Sequence, residues 1–247
     1  MMHATIEIRT MKILSVLYGW KTFLWDSEMP ATEMSVGTLP IGSVEFIQDF
    51  CAKSGIRLPS AIGFDEWLLP WLHRDIRPTS VADIASQADP VFIKPRQEIK
   101  RFSGFVLNGD TPFEKEQRNI LKTLPQDFPV WVSEVVSWQS EWRYYVVQGM
   151  IIGAGRYDPD GADDAPKPAF DEVKACVDRF ESSGDAPAGY AMDFGVLDTG
   201  KTALVEINDG WALGYYPGSL NQLNYAKLLF ARWCQIAQSN TQKQEIL

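Results

Sequence analysis

Three side chains with oxygen donors stand close together in the last quarter of the sequence: Asp193, then Glu206 and Asn208 in the string Glu206-Ile207-Asn208. Side chains alternate along a strand, so Glu206 and Asn208 fall on one face. Asp193 arrives from a neighbouring antiparallel strand once the turn Asp198-Thr199-Gly200-Lys201 closes a hairpin. Hard oxygen donors of this kind suit Mg²⁺, which keeps several waters and is otherwise held through substrate phosphates, so the trio points to a nucleotide. The same alternation predicts Val205 and Ile207 in the core and leaves the polar pair facing either water or a cleft.

Four further groups could serve such a nucleotide. Lys94 ends the apolar run Val91-Phe92-Ile93-Lys94-Pro95, where a lysine either snorkels outward or carries charge into a site. Lys100-Arg101-Phe102-Ser103-Gly104 is a donor-rich turn of the sort that covers phosphates with backbone N–H groups. Glu134 lies in the β-forming run Val130 to Val136, a connector where a carboxylate can hold a ribose hydroxyl and the backbone can pair with adenine; an edge-strand charge is the other reading. Arg143 and Arg156 stand on the two arms of a hairpin turned at Gln148-Gly149, so both could face one cleft and present directed donors to a transferring phosphoryl group. Glu141 and Arg143 could instead form a same-face ion pair, worth little if exposed.

The elements that must position these residues are legible in outline. Thr5 to Arg9 and Ile13 to Leu17 predict one or two short strands. Ser43 predicts the N-cap of a helix over Val44 to Ala52, and residues 56–89 predict a short strand, loops and one helix. Strands are predicted at Val91–Pro95, Val130–Val136, Trp142–Val147, Met150–Gly155, Gly189–Leu197 and Thr202–Ile207. Helices are predicted at Phe113–Leu124, from Phe170 to a stop at Gly184, and over Ser219–Ser239.

Composition narrows the chemistry. With 247 residues, 45% hydrophobic and 22% charged, the chain is of ordinary globular type. No run approaches the roughly 18 apolar residues a membrane span needs, and Met1-Met2-His3-Ala4 opens no signal-like apolar core, so a cytoplasmic protein without a membrane partner is expected. Three widely spaced cysteines and two distant histidines, His3 and His73, offer no disulfide framework, zinc knuckle or His-based triad. A net charge of −9 disfavours nucleic acid as a partner.

The order strand-Lys, Glu connector, Glu-x-Arg strand, Arg, Asp, hairpin, Glu-x-Asn resembles an ATP-grasp domain of the RimK-like kind. Phe92-Ile93-Lys94-Pro95, Phe102-Ser103-Gly104, Ser140-Glu141-Trp142-Arg143 and Glu206-Ile207-Asn208-Asp209 are similar to a small phage and bacterial clade characterised by two arginines and a lysine. The resemblance implies an α+β fold: a small α/β module over residues 1–89, an ATP-grasp domain of two lobes over 90–240, and a tail over 241–247. It implies that ATP and Mg²⁺ are the cofactors. Lys94, Lys100, Glu134, Val136 and Glu141 would bind the nucleotide, Asp193, Glu206 and Asn208 the metal, and Arg143 and Arg156 the reacting phosphoryl group. The implied activity is ligation of a carboxylate, on a small molecule or peptide, to an amine through an acyl phosphate. Two alternatives stand beside it. One is an ATP-binding regulatory module without turnover. The other is a nucleic-acid ligase using Lys94 as nucleophile, although those enzymes carry Lys-x-Asp-Gly where this chain has Lys94-Pro95-Arg96-Gln97.

Overall fold

The computed structural model describes residues 6–22, 38–85, 87–96, 101–158, 164–216 and 218–244. The N-terminal third contributes α1 (Ile6–Tyr18), α2 (Val44–Lys53), α3 (Leu69–Leu72), β1 (Ile76–Ser80) and α4 (Val81–Ile84). The middle contributes β2 (Phe92–Pro95), β3 (Phe105–Val106), α5 (Pro112–Leu121), β4 (Pro129–Ser133), β5 (Trp138–Val147) and β6 (Met150–Arg156). α6 (Phe170–Ser183), β7 (Gly189–Leu197), β8 (Thr202–Asp209) and α7 (Gln222–Gln244) complete the chain.

The first helix corrects the strands predicted there. Thr10, Met11, Leu14 and Ser15 are buried, a three-and-four spacing that fits a helix stripe, and Met11 and Leu14 join the cluster formed by Tyr225, Leu228 and Leu229 of α7. Packing against α7 thus overrides the β preference of the three isoleucines. α2 begins where its cap predicts: the Ser43 hydroxyl accepts from the Phe46 amide.

Two antiparallel four-stranded sheets carry the rest, ordered β1-β4-β2-β3 and β6-β5-β7-β8. The first sheet takes β1 from the N-terminal side of residue 90, so its ladder spans the boundary expected from sequence. One of its faces buries Ile93, Val130 and Val132 against Val81, Ile84, Phe105 and Leu121. Lys94 and Trp131, cross-strand partners, occupy the opposite face.

The second sheet is covered on both sides. Val173, Cys176, Val177 and Phe180 of α6 pack on Tyr144, Met192, Phe194, Leu204 and Ile207. On the other face Tyr225, Leu228 and Leu229 pack on Tyr145 and Ala191, and the remainder of that face is left for the site. Ile207 is in the core as expected, but its companion is Leu204 rather than Val205. The reason is a β-bulge: Asp193 pairs with Glu206 while Phe194 pairs with Leu204, so Val205 is an extra residue. A second irregularity lies in the hairpin turned at Gln148 (φ 47°) and Gly149 (φ 76°). There Val146 pairs with Ile151 but Tyr145 pairs with Gly153, which makes Ile152 the extra residue.

Candidate active site

Asp193 is buried at the centre of the site and is held by a fork. Arg143, its direct partner across the β5–β7 ladder, donates from Nε to Oδ1 at 2.8 Å and from Nη2 to Oδ2 at 2.7 Å. Glu206 stands opposite Asp193 on β8, and Asn208 lies two residues further on the same face. The Asn208 amide nitrogen donates to Asp193 Oδ2 at 3.0 Å and to Glu206 Oε1 at 3.1 Å. Lys94 reaches across from the first sheet and donates to Glu206 Oε2 at 2.8 Å. Each carboxylate oxygen therefore has a protein donor, and the two sheets meet at these side chains.

The electrostatics follow from burial. It works to raise the Glu206 carboxyl, but Lys94, Asn208 and Arg143 outweigh it and hold the group below the usual range. Burial pushes Asp193 up to about 6, opposed by the Arg143 fork and reinforced by the nearby Glu206 and Glu141 charges. Tyr157 and Tyr216 stack at 5.4 Å between ring centroids, and the Arg143 guanidinium lies 5.6 and 5.1 Å from those two rings. The Tyr157 hydroxyl donates to Glu141 Oε2 at 2.7 Å. Burial raises the Glu141 carboxyl, and that hydrogen bond counters it. Gly155, opposite Arg143, makes room for Ser219, whose amide donates to the Tyr216 carbonyl: a Cβ on Gly155 would come within 2.4 Å of Ser219 Cβ.

The two arginines do not share a cleft. Arg143 pairs with Gly155 and Arg156 pairs with Trp142, so their side chains leave opposite faces of the hairpin. Arg156 instead pairs with Asp158 at 2.6 Å. The residue across from Glu141 on the Arg143 face is Tyr157, whose amide donates to the Glu141 carbonyl. Without the extra Ile152, register counted from the turn would have put Arg143 and Arg156 on one face.

Glu134 is exposed, and its carboxylate accepts from the Asp75 amide at 3.0 Å. Val136 lines a cavity of about 300 Å³ with His73, Val135, Ser137, Leu197, Asp198, Thr199 and Lys201, none of which belongs to the carboxylate cluster. Lys100 lies outside the described residues. Sequence reasoning missed Tyr157, Tyr216 and Phe64, whose ring lies 5.0 Å from Lys94 Nζ. Tyr157 could have been found from hairpin register, had the bulge been known; nothing in the sequence marks Phe64 or Tyr216.

No cluster of three or more His, Cys, Asp or Glu side chains among the described residues is placed to hold a metal ion. Two carboxylates and an amide do fit a Mg²⁺ ion that shares its coordination with phosphates and water, provided Asn208 turns its Oδ1 inward.

Two antiparallel sheets facing one another, with a lysine from one meeting Asp, Glu and Asn from the other, define an ATP-grasp fold. Residues 71–228 match the ATP-grasp domain of the second family in the clade named for two arginines and a lysine, and the chain belongs to that family. A RimK domain ATP-grasp protein from Sphaerobacter thermophilus is similar over 96% of each chain at 13% identity, with a TM-score of 0.54. The ATP-grasp ligase PsnB, complexed with a minimal precursor, is similar over 67% of this chain at 19% identity, with a TM-score of 0.44. D-alanyl-alanine synthetase A from Vibrio cholerae is similar over 78% of this chain at 13% identity, with a TM-score of 0.45. The chain spans 58% of the PsnB structure's length and 49% of that of N5-carboxyaminoimidazole synthetase from Staphylococcus aureus. No curated protein matches the sequence. Among the described residues no helix is long and apolar enough to cross a membrane.

Proposed function

We propose that this chain is an ATP- and Mg²⁺-dependent ligase that activates a carboxylate as an acyl phosphate and joins it to an amine on a small molecule or peptide. The observation that carries this reading is the convergence of Asp193, Glu206 and Asn208 from one sheet with Lys94 from the other. Magnesium, when bound, would offset phosphate charge. Asp193, Glu206 and Asn208 would hold it, while Lys94 would move from Glu206 to a phosphate oxygen. Arg143, already oriented by its fork and by two tyrosine rings, would offer its remaining N–H donors to the oxygens of the phosphoryl group in flight. The gap between the sheets would exclude water from an acyl phosphate that water would otherwise hydrolyse. Glu134, Val136 and Glu141 would contact the nucleoside and Lys100 a phosphate.

The ion pair at Glu206 also argues against Lys94 as a nucleophile. An ammonium engaged at 2.8 Å has no lone pair to present, and its partner suits charge binding rather than attack.

The test is a product screen by mass spectrometry, supplying the full chain with ATP, Mg²⁺ and a panel of amino acids, peptides and polyamines. A new amide product with stoichiometric ADP is expected, and Glu206→Gln should abolish both while leaving the melting profile largely unchanged. A chain that binds ATP but releases no ADP across the panel would support a regulatory module. ADP release unaltered in the variant would remove the proposed metal site.

A further inference from the structure

Arg74 lies in the segment between α3 and β1 and has no role in the site as described. Its guanidinium sits beside the aromatic rings of Phe64 and Trp138, 5.9 and 5.6 Å away. From there Nη1 donates to the Leu204 carbonyl at 2.7 Å and to the Leu72 carbonyl at 3.0 Å, and Nη2 donates to the Val205 carbonyl at 3.0 Å.

Two consecutive carbonyls in one fork is the informative detail. In a regular strand successive carbonyls point to opposite edges, so a single guanidinium cannot collect both. Here it can, because Leu204 and Val205 form the bulge opposite Phe194. That bulge decides where Glu206 points. Leu204 and Ile207, one even and one odd position, both face the core under α6, whereas Glu206 and Asn208 face the site. In an unbroken strand Glu206 would share the face of Leu204 and be driven toward that core, since a one-residue slip exchanges the two faces.

We propose that Arg74 is a positioning residue whose fork fixes the Leu204–Val205 bulge and thereby aims Glu206 and Asn208 at Asp193 and Lys94. It ties the segment between α3 and β1 to the strand of the site, and its charge lies close enough to be felt by Glu206 and Glu141. A lysine could not replace it, because one ammonium cannot span two carbonyls with fixed, planar geometry. The functional consequence rests on the ligase reading above; the mechanical claim does not.

Two measurements on the full chain separate these. The first is amide hydrogen exchange of the ligand-free protein, comparing wild type with Arg74→Lys and with Arg74→Met. Faster exchange confined to residues around 204–207 in both variants is expected; unchanged exchange there, or loosening throughout the chain, overturns the proposal. The second is calorimetric titration of a non-hydrolysable ATP analogue with and without Mg²⁺. Arg74→Lys should lose about 10- to 100-fold of the Mg²⁺-dependent tightening, the usual cost of losing a group that orients a metal ligand, while metal-free affinity holds. Equal loss in both conditions would make Arg74 a direct nucleotide contact and overturn its positioning role. Absence of any Mg²⁺-dependent binding in wild type would instead overturn the ligase reading, with the exchange result still deciding the bulge.

Discussion

At the scale of single residues the site is governed by two charges that burial would normally forbid. Asp193 and Arg143 have side chains exposed to only 1% and 9%, so each depends on the other for the hydrogen bonds that water would otherwise make. Removing one partner of such a pair costs more than the pair contributes, because the survivor is left charged and unsatisfied. Asp193→Asn should therefore destabilise the fold by about 3–5 kcal/mol, read as a lowered chemical denaturation midpoint at unchanged slope. A shift no larger than that of an exposed substitution would show that Arg143 finds another acceptor. Lys94 differs in kind, since its partner Glu206 remains one-third exposed and water screens their attraction.

Among the elements, short-range chemistry sets where helices begin. α5 opens with a capping box in which the Thr111 hydroxyl accepts from the Glu114 amide and the Glu114 carboxylate accepts from the Thr111 amide at 2.9 Å. Thr111→Ala should cost about 1 kcal/mol, measured by equilibrium denaturation. The same box gives a pH dependence of definite sign. Hydrogen bonds from Thr111 hold the Glu114 carboxyl below its unfolded value, so the folded state binds fewer protons. Its contribution is complete above the ordinary carboxylate range and disappears as pH falls through the depressed folded value. Thr111→Ala keeps the backbone donor and removes the hydroxyl, so wild type should lose more stability than the variant as pH falls through that window; parallel curves would mean that the hydroxyl contributes nothing to the shift.

For the molecule as a whole, the question is what closes the second sheet beside the site. α7 is fastened to the end of β8 by Arg232, which donates from Nε to Asp209 Oδ1 at 2.7 Å, with side chains exposed to only 8% and 5%. Asp209 follows Asn208 directly, so the helix that covers the sheet also anchors the strand bearing Glu206 and Asn208. Arg232→Ala should cost about 3–5 kcal/mol and lower the melting temperature markedly, because it leaves a buried carboxylate unpaired. Calorimetric melting would show this; a near-wild-type transition would mean that apolar contacts of Leu228 and Leu229 suffice.

Local order and residue chemistry were readable from the chain alone. The Ser43 cap, the Gln148-Gly149 turn, β7, the stop at Gly184 and the trio Asp193, Glu206 and Asn208 follow from spacing and propensity, which act over a few residues. What long-range packing alone decided was direction. Ile152 and Val205 are ordinary strand residues by type, yet each is inserted against a partner strand, and each insertion reverses the face of everything beyond it. One separated Arg156 from Arg143 and put Tyr157 in its place, and the other turned Glu206 away from the core. The helix at Ile6–Tyr18 and the reach of Arg74 to β8 likewise depend on contacts more than a hundred residues distant, where no local pattern can register them.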